Sequence, residues 1–247
     1  MSRQPIAKIP AALSKSTQVY EQLKHALLYG RFPAGEVLSI RGLGGLFGTS
    51  TMPVRGAIAR LIAEGALKTL PNRGVRVPVL SQEQLDDLYR ARVALEGMAV
   101  ELASQNVTAR ELRDLESYEG LMERALERNR LSDAVRANLE FHFLLYRASR
   151  SETLITLIEA LYLRYAPSLY TVIETLPGGG AQRSMLAHAQ HSAIIDALKR
   201  RDSSGARSAL ESDLAISRAV RADGRPLVKP KPKSSRSQAK RGVPAHR

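Results

Sequence analysis

A mainly α fold in two parts is what the sequence predicts: a small unit of three helices closed by a β-hairpin, then an all-α antiparallel helical bundle. Three observations carry this. Apolar residues recur at helical spacing over most of 16–222. One pair of short apolar, β-branched runs interrupts that pattern, at 67–70 and 75–79. The net charge of +13 on 247 residues is also unevenly placed. Residues 1–80 hold 11 Lys and Arg against 3 acids, 81–217 hold 16 against 20, and 218–247 hold 10 against 1. A basic front unit and a basic tail therefore flank a mildly acidic body.

In chain order, 1–15 carries Pro5 and Pro10 with no sustained period and is expected to be a flexible N-terminus. Val19, Leu23, Ala26 and Leu27 form a helical stripe after the cap candidates Ser16 and Thr17, and Gly30 stops it. Phe32 to Leu38 contains Pro33, Ala34 and Gly35, which is turn chemistry. A short helix spans 40–47 with Leu43, Leu46 and Phe47 on its apolar side; Gly48, Thr49 and Ser50 break it. Pro53 suits the first turn of a third helix that turns Val54, Ala57, Ile58, Leu61 and Ile62 inward before Gly65. The two β-branched runs then flank Pro71, Asn72, Arg73 and Gly74, which reads as a hairpin. Within 81–222, helices are expected near 82–105, 108–129, 132–149, 152–175, 182–201 and 204–222. The segment 223–247 alternates Lys and Pro with few apolar residues, so it is expected to be a disordered basic tail that adds phosphate affinity or serves solubility alone.

Several classes are excluded. Without cysteine there is no disulfide scaffold, thiolate zinc site or cysteine nucleophile, and a reducing compartment fits. No run of about 18 apolar residues exists and the first thirty residues lack the apolar core of a signal peptide. A cytoplasmic protein with no membrane contact is expected.

Three helices with a tight turn between the second and third, then a hairpin, is the order of a winged helix-turn-helix. Basic side chains fall where such a unit meets DNA: Arg41 at the start of the second helix, Arg55 on the first turns of the third, Arg73 at the wing tip. The stretch 19–77, with Gly30, Pro33, Gly35, Leu38, Arg41, Leu43, Phe47, Gly48, Ser50, Pro53, Val54, Arg55, Ala57, Leu61, Gly65, Asn72, Arg73 and Gly74, resembles the DNA-binding domain of the GntR family of bacterial transcriptional regulators. The resemblance implies DNA contacts from Arg41, Ser50, Arg55, Arg73 and Gly74. Where the family pattern opens the recognition helix with Arg, this chain has Thr51 and then Met52, which removes a bidentate reader of guanine. Gly42, Gly44, Gly45 and Gly56 also replace better helix formers, each at about 1 kcal/mol, so these helices are expected to be held by packing or DNA.

In the body, three helices place polar groups on apolar stripes: Asn138 and His142 with Val135, Leu145 and Ser149; His191 with Ala187, Ile194, Ile195 and Leu198; Asp213 with Ala206, Leu210, Ser217 and Val220. His191 lies eleven residues before Asp202 and Asp213 eleven after it. A hairpin turning there brings both to the same height, about 16 Å from the turn. Two imidazoles, a carboxylate and an amide make a divalent-metal set, zinc or nickel; the alternative is a metal-free polar cluster in which Asp213 accepts from His191 or His142. His188 is a substitute ligand or solvent-facing. Arg92, on the inward stripe with Leu85, Tyr89, Glu96 and Ala99, either anchors an anionic effector or pairs with Glu96 at i,i+4.

The GntR resemblance continues into the FadR-like branch, whose all-α (FCD-type) domain binds effectors, through Arg92, Leu95, Glu96, Phe141, His142, His191, Ile194, Ala197 and Asp202. In metal-binding members the matching ligands are Asp, His, His and His, so Asn138 and Asp213 depart and the carboxylate has moved from first to fourth position. The resulting expectation is a non-enzymatic, sequence-specific transcriptional regulator, a repressor, acting as a homodimer on a pseudo-palindromic operator in double-stranded DNA. Its helical domain binds a small organic acid through Arg92, His142 and His191, with a metal as cofactor. Two other classes stay open: a metal-dependent enzyme using the His142, His191 and Asp213 pocket, and a nonspecific architectural DNA protein.

Overall fold

The computed structural model describes residues 14–71, 74–175 and 180–219. The expected flexible start before Ser14, Asn72 and Arg73 at the wing tip, Val220 and the tail 223–247 lie outside them.

The front unit is α1 (Lys15–Leu28), β1 (Val37–Ser39), α2 (Ile40–Leu46), α3 (Thr51–Ala63), β2 (Lys68–Thr69) and β3 (Gly74–Arg76). α1 starts earlier than expected because Ser14, not Ser16 or Thr17, supplies the cap; its Oγ accepts the Thr17 N–H. Gly30 and Gly65 follow α1 and α3 with φ of 68° and 75°, the left-handed conformation that ends a helix. The turn expected over 32–38 is confined to its Pro33–Gly35 half. Val37 to Ser39 instead forms a third strand, antiparallel to β3, in a sheet of order β1-β3-β2. Glu36–Ser39 does alternate, with only Leu38 buried among the strand residues. The hairpin strands are shorter than expected: Val77 still exchanges backbone hydrogen bonds with Gly35 and Glu36, and pairing stops at Pro78, which has no N–H for a ladder. A Cβ at Gly56 would meet the Ser16 hydroxyl of α1, which can rotate away.

The body is α4 (Gln82–Asn106), α5 (Ala109–Glu127), α6 (Leu131–Arg147), α7 (Glu152–Thr175), α8 (Gly180–Lys199) and α9 (Ser203–Ala219). Ser81 with Gln84 and Thr108 with Glu111 form capping boxes on α4 and α5. α4 packs on α7 and α9, α8 on α5 and α9, and α6 on α5 and α7. The core runs without interruption from Leu23, Leu27 and Leu61 to Phe141, Tyr146, Tyr162 and Leu210.

The two parts touch along α1, α6 and α7. Tyr29 Oη donates to Glu140 Oε1 at 2.5 Å, Lys24 Nζ lies 2.7 Å from Glu159, and the Ala34 N–H reaches the carbonyl of Pro167, a proline inside α7, at 3.3 Å.

Candidate functional site

The winged unit presents a basic, polar face. Arg41 and Arg55 are exposed, and neither makes an ion pair among the described residues. Ser50 caps α3 by position and is exposed, and its hydroxyl makes no cap hydrogen bond to the first-turn N–H groups. Thr51 and Met52 follow, Met52 with 72% of its surface exposed. Gly74 opens β3, and Arg73 lies outside the described residues. Register adds two residues that sequence reasoning passed over. Lys68 and Arg76 are exposed cross-strand partners in β2 and β3. Like charges facing each other disfavour a sheet unless an anion lies over them, and the pairing was invisible without the register.

In the body, α6, α8 and α9 bring His142, His191 and Asp213 together. His142 Nε2 is 3.3 Å from Asp213 Oδ2, His191 Nε2 is 3.8 Å from Asp213 Oδ1, and the three ligand atoms lie within 4.8 Å of one another. Tetrahedral donors bound at metal distance stand about 3.4 Å apart, so an ion would need the widest pair to close by about 1.4 Å. Asn138, one turn before His142, is buried on the same helix. His191 is buried, stacks on Phe141 with ring centroids 4.0 Å apart, and has no hydrogen-bond partner at either nitrogen among the described residues. Burial pushes its pKa down to about 4 despite Asp213, so it is neutral at physiological pH and has a lone pair to give. Burial would raise Asp213; the hydrogen bond from His142, its charge when protonated and the charge of Arg92 outweigh that and hold the carboxyl below its ordinary range.

Arg92 is spent on structure: Nε and Nη2 donate to Glu96 at 2.6 and 3.2 Å, and the guanidinium lies over the rings of Tyr165 and Tyr162 at 4.1 and 4.7 Å. Both members of the pair are buried. Glu96 also accepts from Tyr146 Oη at 2.5 Å, and Tyr146 Oη is 3.1 Å from His142 Nδ1. Proton counting fixes the roles. Tyr146 has one hydroxyl proton and the carboxylate takes it, so His142 Nδ1 must be the donor to the tyrosine oxygen. A proton on His142 Nε2, donated to Asp213 Oδ2 at 3.3 Å, or a metal ion in its place, then joins the imidazole to the carboxylate. Tyr146 was not singled out in the sequence, although its i+4 spacing from His142 was the available signal. His188 pairs with Glu119 at 2.7 Å and is half exposed, away from the His191 stripe.

A family model described as bacterial regulatory proteins, gntR family, matches residues 15–77. A second, described as the FCD domain, matches 87–215 and so contains the whole His142, His191 and Asp213 cluster. The chain belongs to the GntR family. It is 31% identical over 198 residues to the HTH-type transcriptional regulator McbR of Escherichia coli strain K12, covering 80% of this chain and 88% of McbR. The probable D-xylose utilization operon transcriptional repressor of Paenarthrobacter nicotinovorans is 31% identical over 202 residues, 81% of this chain and 85% of the relative. The solved structure of E. coli McbR/YncC superposes with a TM-score of 0.77 at 30% identity, covering 85% of this chain and 97% of that one. As a GntR-family regulator with an FCD domain, the chain is a DNA-binding transcriptional regulator with an effector-binding domain, not an enzyme. None of its helices, among the described residues, is long and apolar enough to cross a membrane.

Proposed function

We propose that this regulator is a cytoplasmic repressor whose two winged units, paired by dimerisation, hold a pseudo-palindromic operator until a small organic acid enters the helical domain. Arg41, Ser50, Thr51, Met52, Arg55, Arg73 and Gly74 form the DNA face in this reading. His142, His191 and Asp213, with Asn138 as the fourth ligand, hold zinc or nickel. The observation that carries the pocket is the convergence of two imidazoles and a carboxylate around His191 nitrogens that have no hydrogen-bond partner among the described residues, because buried polar atoms without such partners are rare. A bound ion would supply a positive charge for the carboxylate of an effector. The chain itself excludes water, presents neutral His191, and orients His142 through Tyr146 and Glu96. With Arg92 committed to Glu96, effector contact falls mainly to the metal and the two histidines, and Arg92 contributes its charge from behind. The D-xylose operon relative, named a repressor, supports the sign of regulation.

The test is a thermal-shift screen of small organic acids with and without zinc and nickel, alongside elemental analysis of protein purified without chelator. Bound metal, and acids that raise Tm only in its presence, are expected. Protein without metal whose Tm responds to neither ion removes the metal. Asp213 accepting from protonated His142 then remains as the resting arrangement, with acids binding the histidines directly.

A further inference from the structure

The leading edge of α3 is unusually apolar for a surface meant to read base edges. Thr51, Met52 and Pro53 open the helix; Thr51 and Met52 are exposed, and the first charged group, Arg55, comes a turn later. Met52 carries no hydrogen-bond donor and only a weak thioether acceptor, so it cannot grip guanine as an arginine does. Pro53 removes one of the N–H groups that would otherwise hydrate this turn. Met52 stands three residues before Arg55, hence on the same helical face, and the core-facing residues Val54, Ala57, Ile58 and Leu61 lie on the other side. A groove-facing Met side chain therefore has to find an apolar partner or stay in water. Among all base edges in the major groove there is one apolar feature, the C5 methyl of thymine.

We infer that Met52, aided by the Thr51 methyl, is a specificity-determining residue that selects thymine at one or two positions of each operator half-site. This rests on α3 being the helix that enters the groove. The unbranched, polarisable Met side chain adapts to a methyl at slightly different heights, which an Ile or Val at the same place would not do.

The experiment selects binding sites for the full chain from duplexes with a randomised core, then replaces each thymine of the selected half-sites by uracil, which removes the methyl alone. Wild type, Met52→Ala and Arg55→Ala are titrated at one salt concentration. Wild type is expected to bind about fourfold more weakly for each contacted methyl removed. Met52→Ala, an exposed substitution whose Tm should match wild type, is expected to bind thymine and uracil sites equally. Three results overturn the inference: a selected half-site without thymine, a wild type indifferent to every thymine-to-uracil change, or a Met52→Ala protein that still discriminates. If Arg55→Ala weakens binding in those cases, α3 remains the reading helix; an Arg55→Ala protein of full affinity removes α3 from the groove and takes both readings with it.

Discussion

Asp213 shows how much of this site turns on single residues. Its carboxylate faces His142 and His191 and is 15% exposed, so it is the one member of the cluster with an edge toward solvent. Asp213→Ala is expected to abolish bound zinc, because two imidazoles and an amide make a poor closed site. Asn138→Asp should tighten zinc by adding an anionic ligand. Without metal the same substitution buries a second negative charge near the first, raising one carboxyl pKa and lowering stability. Melting temperatures of both variants with and without zinc check this. Destabilisation by Asn138→Asp under every metal condition, in a wild type that binds no zinc, would end the metal reading.

At the scale of elements, helix ends do much of the positioning. α5 opens on Thr108, whose N–H and hydroxyl both meet Glu111, and the same carboxylate takes two bonds at 2.8 Å from Arg150. Arg150 stands three residues past the end of α6 with a φ of 61°, so this pair ties the start of one helix to the left-handed turn after the next. The Arg150 hydrogen bonds, partly opposed by burial and helped by Thr108, hold Glu111 at about 2. A folded-state pKa below the unfolded one stabilises the protein above about pH 4.3 and loses that contribution as pH falls toward 2. Glu111→Gln should therefore melt lower than wild type at neutral pH, with the gap closing between about pH 4.5 and 2. A gap that stays constant across a Tm titration would place the pair's effect elsewhere.

The whole molecule is joined through contacts that a regulator can use. α6 carries Glu140 to Tyr29 of the winged unit and, two residues on, His142 to the ligand cluster; α7 supplies both the Pro167 carbonyl and the rings over Arg92. Occupancy of the cluster and placement of the recognition helix thus share elements, which is the structural requirement for coupling two sites. Tyr29→Phe deletes a hydrogen bond to a charged group, expected to cost about 1.5–3 kcal/mol of stability. It should also shrink any zinc-induced change in operator affinity. Affinity titrations of wild type and variant, each with zinc and with chelator, measure this coupling. An unaltered zinc effect would remove Tyr29 from the path.

The helices of the bundle were legible because each spans several turns of apolar stripe, and the winged order because glycines and Pro53 mark its turns. The convergence of His191 and Asp213 was legible too, because a hairpin of two straight helices has only one way to align residues equally far from its turn. Tertiary structure alone decided three matters. β1 is three residues long and exists through pairing with β3, so its local sequence read as turn. Arg92 divides between effector and ion pair only once Glu96, Tyr162 and Tyr165 are seen to enclose it. The direction of the His142 proton depends on Glu96 claiming the hydrogen of Tyr146, from a helix fifty residues earlier. Periodicity states which face a residue occupies; which atoms meet across faces depends on distances that only the folded chain sets.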